Sequence, residues 1–237
     1  MAKVHRFIGD FKLNQGQIIV SDKETVNQIR RVLRLKIGDL VELIPEKKQV
    51  EWRGRIESIS SQSVGISLME TKIPGPSNQN KVTLYCAILK KDNFELVVQK
   101  ATELGVVKIV PLITTRTVKS NLKFDRLNKI AKEAAEQSGR VDIPELTAVK
   151  NLEEVLDNLA EENYDQTFWL DFGGEKNKNI LDQRSNNLKI ALLVGPEGGF
   201  TDTESQKALD LGLDIKTIST NVLRAEPAAI VGVFALV

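Results

Sequence analysis

The sequence predicts an α/β protein: a parallel sheet covered by helices from about residue 81 onward, preceded by a small β-rich domain. Three observations carry this. Near-continuous apolar runs such as KVTLYCAIL, VVKIVPLI and KIALLVG read as strands covered on both faces. Helical patterns alternate with these runs, as a parallel sheet requires. The first 72 residues instead read as a compact β-rich unit of short strands with one helix, in which VEWRGRIESI alternates apolar and polar positions, and IPGPSNQN (73–80) separates the two patterns as a linker rich in turn residues.

In the first part, HRFIG and QIIVS are strand candidates. SDKETVNQIRRVLR reads as a helix capped by Ser21 or Asp22, with Val26, Ile29, Val32 and Leu33 on one face. KIGDLVELIP supplies a turn at Gly38-Asp39 and a strand, and VEWRGRIESI and SVGISLME are two more strands. After the linker, DNFELVVQKATELG predicts a helix that Asp92 caps and Gly105 ends. FDRLNKIAKEAAEQSG, NLEEVLDNLAEE, TDTESQKALDLG and PAAIVGVFALV are further helices, and Thr201-x-x-Glu204 fits a capping box. TFWLDF and LDIKTIS complete the strands.

The 237 residues are 41% hydrophobic and 27% charged, ordinary for a globular protein. No apolar run approaches the roughly 18 residues of a membrane span, and the N-terminus lacks a signal-peptide core. Cys86 is the only cysteine and His5 the only histidine, so an intramolecular disulfide is impossible and a Cys/His zinc site is not expected. A cytoplasmic location fits both. Residues 1–140 hold 25 Lys+Arg against 15 Asp+Glu, a net of +10, and residues 141–237 hold 8 against 17, a net of −9. Either a polyanion-facing region or a merely dipolar surface accounts for the split.

The segment LLVGPEGGFTDTE joins a buried strand to a helix start through three glycines and a proline. Ligands of open α/β sheets sit outside the carboxyl ends of strands. Neither a phosphate-binding G-x-x-x-x-G-K-[ST] nor a dinucleotide G-x-G-x-x-G is present, and Glu197 and Asp202 oppose a triphosphate. By exclusion, a ligand with little negative charge, or with a cationic centre, suits the loop, and S-adenosylmethionine suits it better than ATP or NAD. A second polar turn, ISTNVLRAEPAA, follows another strand; a capped helix start explains Glu226 and Pro227 but not Arg224.

LLVGPEGGFTDTE, TNVLRAEPAA, KATELGVVKIVPL and AAEQSGRVDIPEL, in this order, resemble the small-subunit (16S) ribosomal RNA uracil-N3 methyltransferases of the SPOUT class. VNQIRRVLRLKIGD resembles that family's small barrel-like, PUA-like RNA-binding domain. The resemblance implies a PUA-like domain over 1–72, a linker over 73–80 and a methyltransferase domain with a deep trefoil knot over 81–237. It also implies a homodimer that binds S-adenosyl-L-methionine against Gly195, Pro196, Glu197, Gly198 and Gly199 and against Ile218, Ser219, Asn221 and Leu223. Asn27-Gln28 stands where the family has one or two histidines, and Pro227 where it has threonine.

Methyl transfer to uracil N3 requires loss of the N3 proton. Arg224 is expected to stabilise charge on the uracil oxygens, and Glu226 to take the proton or position the base. The sulfonium leaving group calls for no metal. Arg6, Arg30, Arg31, Arg34, Arg116, Lys119 and Arg140 are candidate phosphate contacts, and Arg140, after a helix-ending glycine, could also approach the target base. Cys86 and both tryptophans read as packing residues. A non-catalytic RNA-binding or ribosome-assembly protein of this fold, or an enzyme acting on another RNA position, are the alternatives.

Overall fold

The computed structural model describes residues 4–46, 50–74, 79–90, 92–118, 121–171, 187–218 and 221–237. The chain divides into two compact units, residues 1–76 with 135–142 and residues 77–134 with 143–237.

In the first unit, strands β1 (His5–Gly9), β2 (Leu13–Asn14), β3 (Gln17–Val20), β4 (Leu40–Pro45), β5 (Glu51–Ile59) and β6 (Val64–Lys72) form a mixed sheet ordered β1-β4-β5-β6-β3-β2. β1 runs parallel to β4 and the other neighbours are antiparallel. Alternate residues face one core built on Phe7, Ile18, Leu43, Trp52, Ile56 and Ile66. Trp52 is therefore a packing group.

The expected helix of 21–34 is shorter and changes type. Asp22 caps α1 (Lys23–Asn27) by accepting from the Thr25 amide at 2.8 Å. Residues Gln28–Val32 then form a π-helical turn, and Arg34 adopts φ 54°. The wider i→i+5 turn shifts the helical phase. Val26 and Ile29 stay buried, whereas Val32, expected on the apolar stripe, is exposed.

The second unit holds β7 (Lys81–Ala87), α2 (Asn93–Leu104), β8 (Lys108–Ile113), α3 (Phe124–Ser138), β9 (Glu145–Leu146), β10 (Lys150–Asn151), α4 (Leu152–Asn158), β11 (Gln166–Leu170), β12 (Lys189–Val194), α5 (Asp202–Asp210), β13 (Asp214–Lys216) and α6 (Ala225–Leu236). The sheet order is β10-β8-β7-β12-β11-β13, with β9 beside β8, and every pairing is parallel. Strand alternation feeds two cores. Leu84, Cys86, Phe168, Ile190 and Leu192 pack with α2, α3 and α6, while Tyr85, Trp169, Ala191 and Leu193 pack with α4 and α5. Burial on both faces explains the continuous apolar runs.

Gly105 ends α2 at φ 115°, a left-handed conformation glycine tolerates. Asp92 occupies the N-cap position of α2 but makes no side-chain cap bond. Thr201 and Glu204 form the expected capping box on α5. Of the expected linker, 75–78 lie outside the described residues. Asn80 is buried, donating to the Leu236 carbonyl and accepting from the Leu188 amide. No helix among the described residues is long and apolar enough to cross a membrane, and no group of three or more His, Cys, Asp or Glu among them could hold a metal ion.

Candidate active site

A cavity of about 330 Å³ opens at the carboxyl ends of β11, β12 and β13. Its walls come from the Gly195–Phe200 loop, from Leu170-Asp171, and from the segment running from Lys216 toward α6. Leu170, Val194, Ile218, Ala225 and Ala228 are among its apolar residues.

The glycine loop owes its shape first to its own chain. Gly199 has φ 68°, and its amide donates to the Pro196 carbonyl at 2.9 Å, closing a tight turn. A side chain at Gly195 would sit 3.1 Å from the Phe200 ring, and one at Gly198 would sit 3.3 Å from the Arg116 Cδ. Phe200 in turn stacks on Trp169. The glycines thus answer internal crowding and turn geometry, in addition to whatever a ligand needs.

Three polar cross-links hold the loop. Glu197 Oε1 accepts from the Lys90 amide at 2.7 Å. Arg116 Nη1 donates to the carbonyls of Gly198 at 2.7 Å and Phe200 at 2.9 Å. Glu204 accepts from the Thr115 amide at 2.9 Å and the Thr201 amide at 2.7 Å. Burial raises the affinity of the Glu204 carboxyl for its proton, but the hydrogen bonds from Thr115 and Thr201 outweigh that and hold it below the usual carboxylate range. Elsewhere on the cavity wall, Lys216 Nζ lies 2.9 Å from Asp214 with only 6% of its side chain exposed, and Asp171 accepts from the Ser205 hydroxyl. At the end of β7, burial followed by the nearby Glu197 charge pushes the Cys86 thiol up to about 12.

The fold gathers Gly195, Pro196, Glu197, Gly198, Gly199, Ile218, Asn221 and Leu223 around this one cavity. Ser219 lies outside the described residues. Arg224 and Glu226 do not line the cavity, although their neighbours Leu223 and Ala225 do. Arg224 is exposed at the N-cap position of α6, and Glu226 Oε2 in the first turn is buried without a hydrogen-bond partner.

The expected phosphate contacts divide. Arg31 and Arg34 are exposed, and Arg30 is half-buried with Nη1 3.4 Å from the Ser61 carbonyl. Arg6 is not a free cation: it pairs with Glu42 at 3.0 Å and Glu51 at 3.3 Å and is 14% exposed. Arg140 is bonded to Asp142 with 11% of its side chain exposed, and Arg116 serves the glycine loop. Lys119 lies outside the described residues. The sequence reading missed the Leu170-Asp171 and Lys216 walls. The signal was present, since a charged residue ending each apolar strand marks the same sheet edge that the glycine loop marks.

A fully parallel sheet with a part-apolar cavity at the carboxyl ends of adjacent strands defines an α/β protein built to hold a small organic ligand. An RNA methyltransferase domain family matches residues 76–237. Curated relatives include the ribosomal RNA small subunit methyltransferase E of Rickettsia conorii, 31% identical over 96% of this chain and 92% of its own length, and that of Synechocystis, 32% identical over 86% and 67%. The ribosomal RNA small subunit methyltransferase E of Neisseria gonorrhoeae, solved bound to S-adenosyl methionine, superposes with a TM-score of 0.86 at 26% identity, covering 98% of this chain and 96% of that one. The chain belongs to the RNA methyltransferase family, alongside the ribosomal RNA small subunit methyltransferases E.

Proposed function

We propose that this protein uses S-adenosylmethionine to methylate N3 of a specific uridine in 16S ribosomal RNA, acting in the cytoplasm as a homodimer. One observation carries the reading: eight residues expected to touch the methyl donor, drawn from two loops more than fifteen residues apart in sequence, line a single cavity.

The cavity fits that donor. Its volume lies near the lower end of small-ligand pockets, which span roughly 300–1,000 Å³. Its apolar wall suits an adenine ring, and its charged lining, Glu197 and Asp171 with Arg116 and Lys216, balances in sign, which suits a donor that carries a sulfonium, an ammonium and a carboxylate. Bound S-adenosylmethionine supplies a methyl group on a sulfonium leaving group. Gly195–Gly199 with Ile218, Asn221 and Leu223 would hold it through main-chain atoms.

The chain's own residues handle the uracil. Arg224, exposed beside the cavity rim, would offset negative charge growing on the uracil oxygens as N3 loses its proton. Glu226, two residues on, would receive or orient that proton. The exposed Arg31 and Arg34 would contact phosphates from a PUA-like first domain, whereas the paired Arg6 and Arg140 are left out of that role.

A trefoil knot is consistent with the path of α6. The chain leaves β13, at the edge of the sheet, and returns to pack against α2, β7 and β12. A homodimer would cover the outer side of α6, where Phe234 is 66% exposed beside half-buried Ile230 and Val231.

Incubation with unmodified small ribosomal subunits and labelled S-adenosylmethionine, followed by nucleoside mass analysis, tests the reading. The expected product is 3-methyluridine at one position; a different methylated nucleoside, or none, overturns it.

A further inference from the structure

We propose that Arg116 is a positioning residue for the methyl donor: it sets the glycine loop in its binding shape. This rests on the donor site proposed above and assigns to Arg116 a role apart from RNA contact.

The argument starts from the peptide planes of the loop. A planar trans peptide fixes its N–H once its carbonyl is fixed. The Gly198–Gly199 peptide directs its carbonyl to Arg116 Nη1 at 2.7 Å and its amide to the Pro196 carbonyl at 2.9 Å. The Phe200–Thr201 peptide directs its carbonyl to the same Nη1 at 2.9 Å and its amide to Glu204 Oε2 at 2.7 Å. Two planes flanking the Gly199–Phe200 peptide are thus pinned at both ends, with one guanidinium common to both. Gly199, at φ 68°, has no heavy atom within 4 Å of where a Cβ would sit, so side-chain packing does not hold it there.

The residue carrying this guanidinium is itself braced. Thr114 and Thr117 close a turn around it, the Thr114 amide bonding Thr117 Oγ1 at 2.9 Å and the Thr117 amide bonding the Thr114 carbonyl at 3.1 Å. The Thr115 amide meets Glu204 Oε1 at 2.9 Å, tying the same turn to the start of α5. Arg116 also lines the cavity, and its Cδ lies 3.3 Å from the Cβ position of Gly198. A braced cation that bridges two loop carbonyls at the cavity wall acts on the shape of the donor site.

The test compares the unaltered protein with Arg116→Ala and Arg116→Lys by calorimetry with S-adenosylmethionine and S-adenosylhomocysteine, by steady-state methylation of small subunits, and by thermal unfolding. Arg116→Ala is expected to weaken donor binding and raise the donor KM by about tenfold or more, the scale of losing charged hydrogen bonds. At saturating donor, kcat and the KM for the subunit should stay within about twofold, with the melting temperature lowered by no more than the few degrees that losing two loop hydrogen bonds costs. Arg116→Lys should recover only part of the loss, because an ammonium does not reproduce the rigid guanidinium fork. Donor affinity unchanged in Arg116→Ala, or a raised subunit KM with normal donor binding, overturns the inference. Absence of donor binding by the unaltered protein would instead strike the donor site itself, and the inference with it.

Discussion

The Phe200 ring stacks on the Trp169 indole, with centroids 3.7 Å apart and planes 29° from parallel. Phe200 ends the glycine loop and Trp169 lies near the end of β11, fully buried, so the loop is anchored in the core of the sheet. Phe200→Ala should therefore destabilise the protein by about 3–5 kcal/mol, read from urea unfolding. It should also weaken donor binding, because Gly195 lines the cavity so close to that ring that a Cβ there would sit 3.1 Å from it. Phe200→Leu should recover stability more than it recovers donor affinity.

Gly195 and Gly199 resist substitution for different reasons. Alanine at 199 meets no neighbour but must hold φ 68°, at a cost of about 1–2 kcal/mol. Asparagine tolerates that conformation better and should cost less than alanine at 199. Alanine at 195 faces the Phe200 ring at 3.1 Å and should displace the loop. Calorimetric donor binding should rank Gly199→Asn above Gly199→Ala, and both above Gly195→Ala.

Glu204 links the loop to acid. Its folded carboxyl ionises below its unfolded value, so its contribution is complete above the unfolded pKa and is lost as pH falls through the folded one. Glu204→Gln should lower the melting temperature near neutral pH. That deficit should shrink as the buffer is taken into the acid range, because the unaltered side chain then becomes neutral too. A deficit constant with pH would show that its charge is irrelevant.

Cys86 offers a clean probe of the core. The thiol is fully buried and raised to about 12, so little reactive thiolate exists at pH 8. As the only cysteine, it should resist iodoacetamide in the folded protein and be alkylated fully in urea, by intact-mass measurement. Rapid labelling without denaturant would contradict the packing of β7.

Arg224 stands off the cavity wall, which separates its effects from those of Arg116. Arg224→Ala should lower kcat by about a hundredfold, the scale of removing one donor that stabilises developing charge. Donor affinity should stay unchanged. Near-normal turnover in steady-state methylation assays would remove Arg224 from the chemistry.

The longer strands and helices, the parallel class of the sheet, the capping box at Thr201 and the sheet edge holding the candidate cavity all follow from local pattern. Apolar runs report burial on both faces, and glycine reports backbone conformation, whatever the distant chain does. The helix after Asp22 was legible at its start but not in its second half, where the π turn carries Val32 outward. The fates of the arginines were not legible at all. Arg6 finds Glu42 36 positions away and Arg116 finds Gly198 82 positions away, and a run of sequence looks the same whether its cation faces a phosphate, a carboxylate or a carbonyl. Periodicity and turn chemistry are properties of neighbouring residues, so the sequence alone determined them. Charge pairing and the closing of a cavity depend on which distant segments the sheet order brings together, so only the tertiary structure decided those.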